Sequence, residues 1–254
     1  MAAEGFKPIP VTSPANAPLA FGLRCIVDLQ LATIAYYLRP ALSGLTGAVL
    51  DVGAGQSPWR GWLSSTTTYQ GIDIGHAADF GMLPKVKDVT YYVGSKMPLA
   101  DNTYDAVLCI EVLEHVQDPR LLLLEIMRVM RDNATLLLTV PWSARRHHIP
   151  HDYRRFTREG LSFLLQETGF ESIEIFERGN DIAVIANKLT VLSLRLAVPN
   201  MWWHGFATWP LALVCGTLTC VFITSAHACI ALGWGSKEDP LGYFVRAKKA
   251  KCST

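Results

Sequence analysis

Apolar positions along this chain fall into short continuous runs separated by amphipathic stretches, the pattern expected of a sheet covered on both faces. The run that organises the rest is Val49-Leu50-Asp51-Val52-Gly53-Ala54-Gly55, an apolar strand carrying one acid that breaks into two glycines. Glycines at the end of a buried strand let the backbone approach a ligand with no Cβ in the way. About 20 residues further on, Tyr69 to Ile74 reads as a second strand ending in Asp73, and an acid at that spacing can take the hydroxyls of a ribose. A strand-to-turn with no ligand is the alternative reading of a lone Gly-x-Gly.

The remaining elements follow in alternation. Leu19 to Leu42 has helical spacing and is expected to end at Pro40 and Gly44, as a helix lying on the domain or on a membrane surface. Pro58 to Leu63 begins a helix, since proline at a first helical position loses no hydrogen bond. Val89 to Val93 is a third strand, Tyr104 to Ile110 a fourth and Thr135 to Val140 a fifth, stopped by Pro141. Asp118-Pro119 caps a helix over Arg120 to Met130, and Thr157 caps one running through Glu167 to a stop at Gly169. Ser172 to Arg178 and Leu241 to Lys249 are the sixth and seventh strands. Such alternation predicts an α/β, Rossmann-like, doubly wound sheet with ligands beyond the strands' carboxyl ends. Both glycines, Asp73, Glu111 and Pro141 fall at such ends.

One segment breaks the pattern. Val198 to Trp234 contains no Asp, Glu, Lys or Arg, and Leu211 to Trp234 is long enough to cross a hydrocarbon core. A single crossing would strand the seventh strand across the bilayer from its sheet. The expectation is a hairpin of two helical pieces, Asp181 to Val198 and Thr208 to Leu232, that dips into one leaflet with Trp202, Trp203, Trp209 and Trp234 at the interface. A hairpin covered by a second copy is the alternative. The domain plan is an N-terminal arm over 1–18, a main domain over 19–178 and 239–254, and a hydrophobic helical insertion over 179–238.

Composition narrows the function. Half of the 254 residues are hydrophobic and only 18% are charged, so apolar surface must be covered somewhere. With 23 Lys and Arg against 22 Asp and Glu, the chain lacks the basic field that collects nucleic acid, and no nucleic-acid partner is expected. The six cysteines show no Cys-x-x-Cys pairing, which predicts no disulfides, no zinc and a reducing compartment. The first 18 residues are rich in Pro and Ala, lack the charged-then-apolar order of a signal peptide, and read as a loose arm.

In this order the elements resemble the class I S-adenosylmethionine-dependent methyltransferases. Val49 to Gly55 is similar to that family's first motif and Asp73 to its ribose-binding acid. Met97 to Asp105 resembles its "LPFxDxxFD" segment, and Glu111-Val112-Leu113-Glu114-His115-Val116 its "EVLEHV" signature. Asp152 to Leu161 is similar to the "DYxRFTxxGL" block of a bacterial subgroup often associated with glycan and lipid-linked saccharide biosynthesis. Three positions depart from the pattern: Gln56-Ser57-Pro58 replaces the third glycine, Val93 stands where an adenine-loop acid is usual, and Asp132-Asn133-Ala134 replaces a "PGG".

The resemblance implies a sheet of six parallel strands with the seventh antiparallel, and S-adenosyl-L-methionine as cofactor. It places Asp51, Gly53, Ala54, Gly55, Asp73, Ile74 and Glu111 around the donor, with Asp51 either orienting the donor's ammonium or serving as a turn acid. His115 is the first candidate for a general base, with hydrogen bonding of its own turn as the alternative. His148, His151 and Asp152, beside His147, form a second group after the fifth strand. No second ligand cluster is visible next to them, so no metal is expected. Arg145, Arg146, Arg154 and Arg155 favour an anionic acceptor. The expected enzyme methylates a hydroxyl or carboxyl of a small glycan, lipid-linked or membrane-proximal molecule in the cytoplasm, at the inner face of a membrane. A membrane-associated binding module that has lost turnover is the alternative.

Overall fold

In the computed structural model, which describes residues 9–75, 86–198 and 205–251, the glycine-terminated apolar run is an interior strand of a seven-stranded sheet. The strands are β1 (Gly47–Val52), β2 (Thr67–Ile74), β3 (Val89–Tyr92), β4 (Tyr104–Ile110), β5 (Met130–Pro141), β6 (Phe170–Arg178) and β7 (Gly242–Lys249). Their order is β3-β2-β1-β4-β5-β7-β6. β1 to β5 pair in parallel, whereas β7 lies antiparallel between β5 and β6. Six strands thus share one direction and the seventh opposes them, as expected.

Alternation along each strand sorts its side chains between the two faces. Leu50, Val107, Cys109, Leu136 and Leu138 join one core, under helices α3 (Pro119–Val129) and α4 (Arg158–Glu167). Val49, Ala106, Leu108 and Leu137 join the other, under α1 (Pro18–Val27) and α2 (Leu29–Ser43). Burial on both faces explains why these strands read as unbroken apolar runs. The chain winds outward from β1 in one direction and from β4 in the other, so a crevice opens between the carboxyl ends of these two strands.

Several local expectations are corrected. The segment over residues 19–42 is two helices, because the Asp28 carboxylate accepts from the Leu31 N–H at 3.1 Å and caps a new start. Pro40 lies inside α2 and does not end it. The hydrogen bond it removes would fall on the carbonyl of the exposed Tyr36, where water can replace it. After the glycines there is no helix, only a single 3-10 turn at Arg60–Trp62. β5 begins at Met130, and Asp132-Asn133-Ala134 lies in the register shift between the pairing of Tyr104 with Met130 and that of Ala106 with Thr135, with Asn133 at φ 59°. The described part of the N-terminal arm is also held, since Arg24 donates to the Ile9 and Pro10 carbonyls at 2.9 and 2.8 Å.

The insertion is a helical hairpin, α5 (Asp181–Ala197) and α6 (Gly205–Leu232). The turn between them, including Trp202 and Trp203, lies outside the described residues, and α6 starts three residues before the expected Thr208. The base is fastened to the sheet. Asn180 accepts from the Ala183 N–H at 2.9 Å and donates to the Trp234 carbonyl at 2.7 Å, while the Leu241 N–H donates to the Arg178 carbonyl at 2.8 Å. Ala183, Val184, Ala186 and Ala226 then pack with Leu29 and Leu241 into a third core. Further out, Ser193 meets Thr219 at 3.1 Å, and apolar side chains such as Leu192, Leu213 and Val221 face outward. By length and composition α6 could cross a membrane, and only 11% of its most apolar window is buried.

Candidate functional site

The carboxyl ends of β1 and β2 are fastened to each other around the glycine loop. Gly53 and Gly55 adopt φ of 71° and 52°, where L side chains are strained. A Cβ on Gly53 would stand 2.4 Å from Val112 Cγ2, so the loop and the "EVLEHV" segment approach as closely as only glycine permits. Asp73 accepts from the Gly55 N–H at 2.8 Å through one oxygen and from the Ile74 N–H at 2.7 Å through the other. Burial pushes the Asp73 carboxyl up, partly offset by these two donors.

Asp51 lies beneath the loop, 2% exposed, and accepts from the Tyr69 hydroxyl at 2.8 Å. Burial pushes its carboxyl up to about 7 from 3.8, with Tyr69 opposing and Asp73 adding to the shift. A raised folded-state value favours the folded state fully below the unfolded value and loses that contribution as pH rises through the folded one. Asp51→Asn is therefore expected to remove a decline of on the order of 4 kcal/mol in unfolding free energy between pH 4 and pH 8. Denaturant titrations of both proteins across that range check it; parallel pH profiles would show that Asp51 ionises normally.

At the end of β4, Glu111 takes φ 55° and its Oε1 accepts from Arg178 Nη2 at 2.8 Å. Arg178, with no exposed surface, also donates to the carbonyls of Gln30, Val140 and Tyr243 at 3.2 to 3.3 Å. One guanidinium thereby ties β6 to β5, β7, α2 and the Glu111 carboxylate. Glu111 lines the cavity described below, but its carboxylate is engaged on the protein side.

The loop after β5 folds back onto the "EVLEHV" turn. The Tyr153 N–H donates to the Glu114 carbonyl, and Arg154 to the Val116 carbonyl, both at 2.8 Å. This docking gathers His115, His147 and His148, whose ring centroids lie 4.7 to 5.2 Å apart. His115 Nδ1 donates to the His151 carbonyl at 2.7 Å, and His147 Nδ1 to the Arg145 carbonyl at 3.0 Å. Burial lowers the imidazole of His115, and lowers that of His148 to about 4, so both rings are neutral at pH 7. Asp152 accepts the Arg155 fork at 2.5 and 2.8 Å and the His147 N–H at 3.0 Å; burial alone would raise its carboxyl, but these partners hold it below the usual range.

These groups meet in one cavity of about 680 Å³, lined by Gly53, Asp73, Glu111, His115, His147 and His148 among others. Asp51, Ala54, Gly55 and Ile74 line it too, as do Ile9 to Val11 of the arm. Two expected site residues take other parts. The His151 ring meets the Tyr153 hydroxyl at 3.2 Å and is not among the lining residues, so His151 serves the site through its carbonyl. Asp152 also stands behind the lining and orients His147 and Arg155. None of Arg145, Arg146, Arg154 and Arg155 is among the residues lining the cavity. Val93 is 77% exposed, and the neighbouring Gly94 and Ser95 do line the cavity.

Three residues escaped the sequence reading: Arg178, Tyr69 and Glu114 as a buried acid. Arginine at the end of an alternating strand reads as solvated, and nothing local marks it as buried. His147 was legible as part of a cluster, yet only the docked loop brings it to His115.

Residues 50–138, about a third of the chain, match a family model described as a methyltransferase domain. No curated protein sequence matches the chain. Among solved structures, a SAM dependent methyltransferase from Archaeoglobus fulgidus superposes with a TM-score of 0.52 at 18% identity, covering 91% of this chain and 100% of that one. The cyclase SpnF also gives 0.52 at 18% identity, covering 97% and 100%. At such identities the likeness to these structures is one of fold.

Proposed function

We propose that this chain, a class I S-adenosylmethionine-dependent methyltransferase, methylates a hydroxyl or carboxyl oxygen of a small acceptor presented at a membrane surface. The observation that carries this reading is the shared cavity, lined by the glycine loop and Asp73 and by the imidazoles of His115, His147 and His148.

The residues suit the donor. Gly53 and Gly55 line the cavity with backbone alone, and Asp73 offers its remaining carboxylate lone pairs to two ribose hydroxyls. Asp51 would face the donor's ammonium. A dinucleotide pyrophosphate wants a helix N-terminus after the glycines, and this chain has a 3-10 turn there, which suits a donor without phosphate. Bound donor supplies a sulfonium methyl, whose S–CH₃ bond breaks as the acceptor O–CH₃ bond forms, leaving a neutral thioether. The protein's share is to align the acceptor with that bond and receive its proton. His115, His147 and His148, which line the same cavity, would be the groups to receive it.

Membrane proximity rests on the hairpin. Its outward residues include Leu213 at 74% and Phe206 at 72% exposure, and apolar surface of this extent calls for lipid or a partner. Both ends of the hairpin are bonded to one edge of the sheet, so binding would be one-sided, from the cytoplasmic face. The full chain is expected to transfer radiolabelled methyl into the lipid fraction of a cell extract and to pellet with vesicles. Replacing residues 195–216 by a short Gly/Ser linker preserves the packed base, and is expected to abolish pelleting while donor affinity stays. Label confined to protein or absent from every fraction, or pelleting by the shortened chain, would refute the corresponding half.

A further inference from the structure

We propose that His115, His147 and His148, together with the buried Glu114 carboxylate, form a binding site for one divalent transition-metal ion of the zinc class. Each imidazole offers one ring nitrogen, and these three atoms lie within 4.8 Å of one another. The rings meet edge to face or tilted, not stacked. Two of them are held in the tautomer a metal requires. A backbone carbonyl only accepts, so the hydrogen bonds to the His151 and Arg145 carbonyls place the protons of His115 and His147 on Nδ1. A neutral ring then carries its lone pair on Nε2, and a carbonyl on the opposite nitrogen is the outer support that orients metal-binding histidines.

Glu114 supplies the independent observation. Its side chain has no exposed surface, and neither carboxyl oxygen has a hydrogen-bond partner among the described residues. Oε1 lies 3.7 Å from His115 Nε2, so the buried carboxyl group stands against one of the three imidazoles. Such an arrangement is costly without a cation or proton to share. Two metal–ligand bonds of about 2.1 Å span at most about 4.2 Å, so one ion can bridge this pair. The three nitrogens need to draw in to a spacing of about 3.4 Å, within reach of ring rotation on a loop. Imidazole with one carboxylate is a donor set that suits zinc and its neighbours.

No second ligand set stands next to His147 and His148 along the chain; the docked loop provides one from the turn after β4. What the ion does rests on the methyl-transfer reading. Held in the acceptor half of the cavity, it can take an acceptor hydroxyl as a further ligand and lower that hydroxyl's pKa; the imidazole lone pairs then hold the ion, and the proton leaves to solvent instead of to a histidine. Binding of the ion itself does not depend on the donor.

The test uses the full chain, stripped with a chelator, titrated with zinc chloride by calorimetry and with cobalt(II) by visible absorption. Donor affinity is measured in parallel. One equivalent is expected to bind, with cobalt giving the visible bands of a nitrogen and oxygen site. His147→Gln and His148→Gln should each weaken zinc binding by about 100-fold or more with donor affinity retained, whereas His151→Ala, which keeps its carbonyl, should bind zinc as wild type. Donor-binding protein that takes up no zinc at about 100 μM, or Gln variants with wild-type zinc affinity, would overturn the site. Zinc bound in this pattern by a chain that fails to bind donor would uphold the site and remove the methyl-transfer reading instead.

Discussion

Glu111→Ala is expected to lower the unfolding free energy by about 3 kcal/mol, the scale of stranding one partner of a buried ion pair. Arg178 has no exposed surface, and Glu111 is the carboxylate that balances it, at 2.8 Å. Three carbonyls remain to the guanidinium after the substitution, so its protons stay bonded while its charge does not stay paired. Glu111→Gln keeps an acceptor and should cost less. Adding Arg178→Met to Glu111→Ala removes the stranded charge and should recover part of the loss, which a double-mutant cycle in urea measures directly. Equal stability of Glu111→Ala and wild type would mean that the pair contributes nothing and that Glu111 is held for the cavity alone.

Asp73→Ala is expected to weaken donor binding by about 10²- to 10⁴-fold, since two charge-assisted hydrogen bonds to the ribose are worth roughly 1.5–3 kcal/mol each. A smaller second effect comes with it. The carboxylate that would face the ribose also accepts the Gly55 N–H at 2.8 Å, so its removal untethers the glycine loop and should lower stability by about 1 kcal/mol. Isothermal titration reads the first effect and thermal unfolding without donor the second. Donor affinity within threefold of wild type would overturn the placement of the ribose at β2.

Much of the fold was legible because its determinants are local. Burial on both faces wrote β1, β4 and β5 as continuous apolar runs, and Asp118 and Thr157 announced their helices through caps that the structure reproduces, to the Leu121 and Gly160 N–H groups. The misread elements are those where a side chain or a distant partner competes with local propensity. Asp28 interrupts a helical pattern by capping a second start, and the Pro58 segment tightens to one 3-10 turn. The strand before Thr135 was missed because Asp132-Asn133-Ala134 carries turn residues, which the structure places in a register shift after the distant pairing of Met130 with Tyr104.

The sequence by itself determined the doubly wound plan, the glycine loop with Asp73 facing it, and an apolar hairpin leaving and rejoining one side of the sheet. All of these depend on spacing, on residue type, or on topology that connection lengths allow. Tertiary structure decided which polar groups share a volume. The Tyr153 N–H and the Arg154 guanidinium dock the post-β5 loop onto the turn after β4, and that contact, between segments about 35 residues apart, sets His147 and His148 against His115 and turns the His151 ring away. It also decided that Arg178 is buried and Glu111 committed to it, because the charge of a side chain is visible in a sequence while the surface that removes it from water is assembled only when α2, β5, β6 and β7 close around it.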